Sequence, residues 1–448
     1  MVLLFAGNLL QNQQTVTHKK IWTIAGPMIL ANLSTPLLGM VDTAVVGHLN
    51  SPVYLGAVAL GSMLFTFLFW GFGFLRMVTT GLTSQANTSD NQEATRAVLL
   101  QSGLLALIIA LVLLVLQSPI GWLAFQFIDG SAEVLTAAQQ YYQIRIWSAP
   151  ATLLNYAILG WLIGIGASRN ALAIVLVINI SNIVFDLLLV NQFGMKADGV
   201  ALASVMAEYI GLGFAIVLLS KQQLALKTIQ LKKQLQLLLK NRKELHLHGN
   251  FMLRTLCLIF SFAFFTNQGA QQGDIVLAAN MVLLNFITFM AYVLDGFANA
   301  TEVMTGNAIG RADKNMLKRS LILNGFWSVF VACIFSLLYF YAGDHIIALL
   351  TDIEAVSMTA SDYRYWVALA PVIGVWSYLF DGLFVGATLG REMRNTMLIA
   401  TFCCYLPAWY FLQGFDNHGL WAALMVLLAA RGISQSCYLP RILNQISR

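Results

Sequence analysis

Uncharged apolar runs recur along the chain at a length set by a lipid bilayer. Ala97 to Gln117 is one such run and Asn170 to Phe185 another. Crossing ~30 Å of hydrocarbon takes about 20 apolar residues in a helix. The pattern predicts helices near 21–46, 54–82, 95–117, 136–163, 170–191, 199–220, 250–266, 275–303, 316–341, 357–387, 395–413 and 419–438. Pro and Gly fall inside several spans, which lipid tolerates where neighbouring helices re-satisfy the backbone. The fold class read from this pattern is an all-α integral membrane protein of about twelve transmembrane helices.

Composition agrees. The chain is 58% hydrophobic and 10% charged over 448 residues, against roughly 25% charged in a soluble globular chain. That is too little charge to coat a water-facing surface, and closely spaced spans exclude a soluble enzyme on a single anchor. The first apolar run lacks a preceding basic flank, so no cleavable signal peptide is expected. Cys257, Cys333, Cys403, Cys404 and Cys437 all lie in apolar runs and read as packed thiols, without a disulfide framework or a CxxC metal motif.

Charge sorts the loops. One set carries Lys19, Lys20, Arg96, Arg169, Arg311, Lys314, Lys318, Arg319, Arg391, Arg394, Arg441 and Arg448. The central linker adds Lys221, Lys227, Lys232, Lys233, Lys240, Arg242, Lys243 and Arg254. The alternate loops carry Asp129, Glu133, Asp274, Asp344, Asp352, Glu354 and Asp416, with Lys196 as the basic exception. The positive-inside rule therefore places both termini and the linker in the cytoplasm. The linker's basic charge reads first as an orientation signal near anionic lipid.

A shift of about 222 residues superimposes the halves. Leu55-Gly-Ala-Val-Ala-Leu meets Leu277-Ala-Ala-Asn-Met-Val-Leu, and Thr83-Ser-Gln-Ala-Asn meets Thr305-Gly-Asn-Ala-Ile. Tyr142 precedes Pro150 as Tyr363 precedes Pro371, and Arg169-Asn170 opens one helix as Arg394-Asn395 opens another. Six helices per half is even, so both halves share one orientation. The expected organisation is a six-helix bundle at 1–220, a basic linker at 221–249 and a second bundle at 250–448, related by a parallel repeat. Transporters that rock about a central cleft use such repeats; a duplicated scaffold is the plainer reading, but large parallel six-helix repeats with a cytoplasmic linker favour transport.

Ionisable residues inside a span are costly and default to a functional hypothesis. Asp42 lies near the outer end of the first span and Asp186 near that of the fifth. Asn179, Asn182 and Asp186 fall at i, i+3 and i+7, on one helical stripe. Ser204 and Tyr141 fall at a similar depth on the sixth and fourth spans. Four helices thus offer polar groups in one layer of the first half, which favours a shared cation site over interfacial acids reaching for water. Under the repeat, the second half offers Phe264, Phe265, Tyr410 and Phe411 instead. Two close carboxylates in apolar surroundings resist ionising together, so the pair can hold a proton. With Asn182 and Ser204 oxygens it can equally hold Na⁺ at Asp42, Asn182 and Asp186; the sequence leaves both open. Asp295, Glu302, Glu208, Asp381 and Arg76 are further charges within spans that fit structural ion pairs as well as transport. Pro27 and Pro36 remove backbone hydrogen bonds from the first span, and Pro27 is the candidate hinge.

The chain resembles the multidrug and toxic compound extrusion (MATE) transporters, and most of all their DinF subgroup. The resemblance rests on Pro27 with Gly39-Met-Val-Asp-Thr-Ala-Val-Val-Gly-His-Leu49, on Gly73-Phe-Leu-Arg-Met-Val-Thr-Thr-Gly-Leu-Thr83, and on Asp295-Gly-Phe-Ala-Asn-Ala-Thr-Glu302. It covers nearly the whole chain. It implies efflux of small amphipathic, often cationic drugs or toxins in exchange for H⁺ or Na⁺. Asp42, Tyr141, Asn182 and Asp186 would form the cation or proton site, with Ser204 the nearest match to its hydroxyl residue. The implied setting is a bacterial inner membrane, with a monomeric multi-pass protein, no cofactor beyond the coupling ion and no nucleic-acid partner.

H⁺-coupled antiport is the leading expectation and Na⁺ coupling the runner-up. A lipid-linked oligosaccharide flippase would require a cationic cavity for pyrophosphate, whereas the first half shows acids. An intramembrane enzyme is disfavoured: the chain has no HExxH, GxSxG or P-loop pattern, and none of its six histidines is paired at metal spacing within a span. The orientation generates a direct prediction. A cysteine introduced at Gln236 should stay unlabelled by an impermeant maleimide added to intact cells; efficient outside labelling would reverse the topology.

Overall fold

The computed structural model describes residues 16–47, 51–88, 92–128, 130–221 and 231–445. Asp129, Lys227 and Arg448 lie outside these, as do His48 and Leu49 of the first-span motif and the side chains of Lys221, Lys232 and Lys233. Among the described residues every regular element is helical. Eleven continuous runs are long and apolar enough to cross a membrane. They are α1 His18–Gly47, α2 Pro52–Ala86, α3 Gln92–Val115, α4 Ala132–Gly164, α5 Ser168–Gln192, α6 Ala197–Ser220, α7 Arg242–Gln271, α8 Asp274–Gly310, α9 Lys314–Leu350, α10 Glu354–Gly386 and a final run Gly390–Asn444. That run contains two crossings. Gln413–Phe415 tightens into a 3₁₀ turn and Asp416 takes a φ of 49°, so α11 (390–412) ends there and α12 Asp416–Ser436 begins. At 1.5 Å per residue each piece is about 30 Å long. Twelve crossings result, as the apolar pattern predicts.

Several spans are longer than the apolar runs alone indicate. α8 reaches Gly310 and α9 reaches Leu350, because helical hydrogen bonding continues beyond the hydrocarbon-like stretch into polar ends. α2 is broken at Phe72–Gly73, and α4 passes through a 3₁₀ turn at Ile146–Ser148 ahead of Pro150. Proline cannot donate to the preceding turn, which accounts for that interruption. The linker contains a short amphipathic helix, Leu231–Lys240, whose Leu238 is buried and whose Gln234 accepts a hydrogen bond from Gln101 Nε2 of α3 at 2.9 Å. Of the linker cations, Arg242, Lys243 and Arg254 lie inside α7, and Arg254 is buried there.

The chain forms two compact units. One comprises Leu30–Thr83 and Asn91–His248; the other comprises Met1–Ile29, Ser84–Asp90 and Gly249–Arg448. α1 therefore changes membership between Ile29 and Leu30, just after Pro27. The C-terminal end of α2 belongs with the second half, where Gln85 Nε2 donates to the Gly386 carbonyl at 2.7 Å.

The internal repeat holds at atomic detail, at an offset of 222. In the first unit Gly160 and Gly164 of α4 face Thr79 and Thr83 of α2; in the second, Gly382 and Gly386 of α10 face Thr301 and Thr305 of α8. At all four glycines an added Cβ would lie closer than 3.0 Å to a facing atom. Each pair is followed by the same turn. Gly166 has φ 81° and Thr388 φ 54°, and the next amides, of Ala167 and Leu389, bond back to Leu162 and Phe384 at 2.8 and 2.9 Å. This register pairs Arg169 with Arg391. The sequence match of Arg169 to Arg394 is off by three residues, because Arg394 lies within α11 rather than at its start. Small residues at a helix crossing let backbones approach closely, which supplies packing where lipid offers no hydrophobic drive.

In the second unit Phe265 and Trp421 meet edge to face at 4.9 Å. Asn280 and Asn417 exchange amide hydrogen bonds at 2.8 and 2.9 Å, and Trp421 Nε1 donates to Asn280 Oδ1 at 2.8 Å. Buried amides in an apolar bundle are thereby paired with one another. Close glycine packing predicts a graded response. Gly382→Val should force its helix off α8, costing about 1–3 kcal/mol, and lower the apparent melting temperature in detergent. Gly213→Ala, which meets nothing within 4 Å, should leave it unchanged. Equal melting of both variants with the parent would remove this crossing as a stability determinant.

Candidate functional site

The first unit gathers the polar residues of α1, α4, α5 and α6. Asp186 ends the α-helical part of α5 and is fully buried; Asn182 is 1% exposed, Tyr141 2% and Ser204 6%. Asp42, on α1, is half-buried. Asn182 bridges them. With its amide nitrogen toward the acids it donates to Asp42 Oδ1 at 3.1 Å and Asp186 Oδ2 at 3.3 Å. Its oxygen then accepts from Ser204 Oγ at 3.2 Å and from the Ser204 amide at 3.1 Å. The reverse orientation would set a carbonyl oxygen against two carboxylates, so the bridging one is assigned. The two carboxyl groups also lie within hydrogen-bonding range of each other. A hydrogen bond between two carboxyls requires a proton on one of them. Asp186 Oδ1 is buried and takes no hydrogen bond from a donor among the described residues, so it is free to accept one.

The remaining predicted residues separate. Tyr141 shares a 3.2 Å hydrogen bond with Ser62 on α2 and lies within electrostatic reach of both aspartates. It sits against Gly61, where a Cβ would collide with the phenol ring. Asn179 donates to Ser34 of α1 at 2.8 Å, a second tie between α5 and α1. Arg76 is in the same unit but its carbonyl lies under Gly160, in the α2–α4 crossing. Asp295 and Glu302 belong to the second unit, where the Asp295 carbonyl accepts from Asn299 Nδ2 at 2.8 Å and Glu302 is buried. α5 continues past Asp186 as a π-helix, Leu187–Gln192; such wide turns concentrate at functional sites.

The second unit handles its buried acid differently. Asp381 of α10 accepts from Arg254 of α7, from Arg431 of α12 at 2.8 Å and from Gln435 Nε2 at 2.6 Å. Both its oxygens are thus bonded. Asp381 is committed to a buried ion-pair cluster, and its partner Arg254 was counted in the linker by charge sorting. Of two further charges near the site, Glu208 was noted in the sequence as a charge within a span, whereas Arg145 escaped that reading. Glu208 of α6 accepts from Asn155 Nδ2 at 2.9 Å. Arg145 of α4 lies within electrostatic reach of Asp42, Asp186 and Glu208. The available signal for Arg145 was helical spacing: it falls four residues beyond Tyr141, as Glu208 falls four beyond Ser204.

Comparison with known proteins follows this geometry. The MatE family model matches residues 27–188 and 251–410, once in each half. The chain is 43% identical over 426 residues to the DNA damage-inducible protein F of Escherichia coli strain K12, covering 94% of this chain and 91% of that one. It is 25% identical to a probable multidrug resistance protein NorM of Pseudomonas syringae, covering 91% of each. Its fold matches a crystallised MATE transporter of Vibrio cholerae with a TM-score of 0.83 at 19% identity, covering 96% of this chain and 98% of that one. With the family model matched in both halves and a relative aligned over nearly its full length, the chain belongs to the MatE family, whose members are secondary transporters and not enzymes.

Proposed function

We propose that this protein is a multidrug efflux antiporter that exports amphipathic compounds by alternating access, with H⁺ as the coupling ion and Asp42 and Asp186 as its carriers. The observation that carries this reading is the Asp42–Asn182–Asp186 bridge, in which two carboxyl groups and an amide share one buried polar site. The NorM relative's multidrug resistance name supports the substrate class. The orientation of Asn182 supports H⁺ over Na⁺. It presents N–H donors to the acids, whereas a hard cation is coordinated by oxygens, and Na⁺ would have to turn the amide away from the two Ser204 donors. The setting proposed is a bacterial inner membrane, with both termini and the linker cytoplasmic and the protein acting as a monomer.

The domain boundaries follow from the same reading. Two six-helix bundles, 1–220 and 250–448 about the linker 221–249, supply the symmetric frame. The start of α1 packs with the second. Pro27 lies two residues before this change of membership. It has no N–H for the Thr23 carbonyl, so α1 lacks one helical hydrogen bond there. That is where the helix bends as Asp42 gains or loses its proton.

Proteoliposomes with ΔpH or ΔNa⁺ imposed separately test the coupling ion. Drug efflux should follow ΔpH and should collapse at least tenfold in Asp42→Asn with the protein still inserted. Asp186→Asn combined with Asn182→Ala should lose little more than either alone, since residues in one network are non-additive. Wild-type efflux by Asp42→Asn would remove Asp42 from coupling, and additive losses would separate the roles.

The hinge makes its own prediction. Pro27→Ala should lose efflux while binding substrate with unchanged affinity. Spin labels on α1 either side of Pro27 should change separation between acid and neutral pH in the parent but not in the variant. A parent α1 that stays still while transport is H⁺-coupled would favour rigid rocking.

A further inference from the structure

Arg145 ends the first part of α4, directly before the 3₁₀ turn at Ile146–Ser148. Its guanidinium lies over the rings of Phe65 and Phe69, 5.9 Å from each centroid. Asp42, Asp186, Tyr141, Tyr156 and Glu208 are all within its electrostatic reach. None of them forms a salt bridge with it, and its Nη1 is buried without a hydrogen-bond partner among the described residues. The arginines of the second unit are the contrast: Arg254 and Arg431 are both locked onto Asp381. Glu208, which is held by Asn155 Nδ2, is likewise anchored. Arg145 is a half-buried cation placed among acids, its buried Nη1 left with hydrogen-bonding capacity.

The charge around it restricts what can use that capacity. Asp42 and Asp186 sharing one proton still carry one negative charge, and Glu208 adds a third carboxyl to the group. A plain anion approaching Arg145 meets this acidic surround. A plain cation is attracted by the acids and gains nothing from Arg145. A zwitterion satisfies both, because its cationic end faces the aspartates while its carboxylate pairs with the guanidinium fork, the geometry in which arginine binds carboxylate best. We propose that Arg145 is a specificity-determining residue that recognises the carboxylate of zwitterionic amphiphiles, making these a substrate class of the first-half site. The proposal rests on the efflux reading above and narrows its substrates.

Two dyes that differ by one methyl group test it on the purified full-length chain: rhodamine 123, a cationic methyl ester, and rhodamine 110, its zwitterionic free acid. Equilibrium binding is read by fluorescence polarisation. The parent should bind both. Arg145→Gln should weaken the acid about tenfold, the scale of one lost charge-assisted pair, and leave the ester within twofold, which also reports that the variant is folded. Arg145→Lys keeps the charge but not the fork, and should weaken the acid about threefold with the ester again unchanged. That second variant decides the matter on its own if the first does not fold. Equal changes for acid and ester, or no change for either, overturn the role of Arg145. A parent that binds the ester and not the acid overturns the inference and leaves multidrug efflux standing; a parent that binds neither overturns both.

Discussion

A carboxyl group among transmembrane helices has no water to neutralise it, and the architecture of this protein turns on how each half meets that constraint. The desolvation of a bare charge costs several kcal/mol even after relaxation, so every buried acid needs a proton, a cation or a dense set of donors. The second unit supplies cations. Asp381 has two arginines and a glutamine, with both oxygens bonded. The first unit supplies an amide bridge between two carboxyl groups, and it leaves Asp186 Oδ1 without a donor among the described residues. The committed acid stabilises one arrangement, while the uncommitted acid can change its proton count. This difference is what the proposed exchange in the first half would draw on.

Duplication explains why two such different sites share one frame. The features kept at the 222-residue offset are those that bring helices together: the paired glycines facing threonines, and the left-handed turn after them. Both depend on backbone approach, where a side chain of almost any kind would intrude. The features that diverged are side chains pointing into each bundle, which can change without moving a helix axis. At the structural offset of 222, Tyr141 rather than the Tyr142 of the sequence match lies opposite Tyr363, yet Tyr141 bonds Ser62 beside the acid pair, whereas Tyr363 stacks edge-on against His418. A crossing kept in both halves with exchangeable lining is a simple physical route from one duplicated bundle to two halves with different buried polar groups.

How much of this was legible in the sequence depends on the range of the interaction. Helix number came from hydropathy, and the stripe Asn179, Asn182, Asp186 came from 3.6-residue spacing, because both are properties of single helices. That Asp42, Tyr141, Asn182, Asp186 and Ser204 lie in one layer followed once depth was compared across spans, whereas the Asn182 bridge to Asp42 had no trace in the sequence. Arg254 was misread because the hydrophobic run of α7 begins close to it, and charge sorting places any cation near a span end in the loop. Its commitment to Asp381, 127 residues away, leaves no local trace. Arg145 was missed for the opposite reason: it looks like an ordinary amphipathic position at the end of a polar helical segment, and only the fold brings Phe65, Phe69 and Glu208 to it. Gly61 is similar, since its importance is the space it leaves for Tyr141.

The remaining step is how a proton on a buried site can do mechanical work. Protonation shifts a conformational equilibrium only when the two conformations hold the proton with different affinity. A tenfold difference corresponds to about 1.4 kcal/mol and shifts the ratio of states tenfold. The geometry offers a source for that difference. Asp42 belongs to α1, whose earlier turns pack with the other unit, while Asp186, Asn182 and Ser204 are on α5 and α6. A bend near Pro27 would move Asp42 alone. It would break the Asn182 donation and the contact between carboxyls together, so the proton would lose its second acceptor in the same motion. An α1 bonded to α5 through Asn182 at the acids and through Asn179 and Ser34 one layer further in has two discrete ties to make or release. Coupling of this kind would need no strain stored elsewhere: under the proposed reading, the same hydrogen bonds that hold the buried acids would set which conformation keeps the proton more tightly.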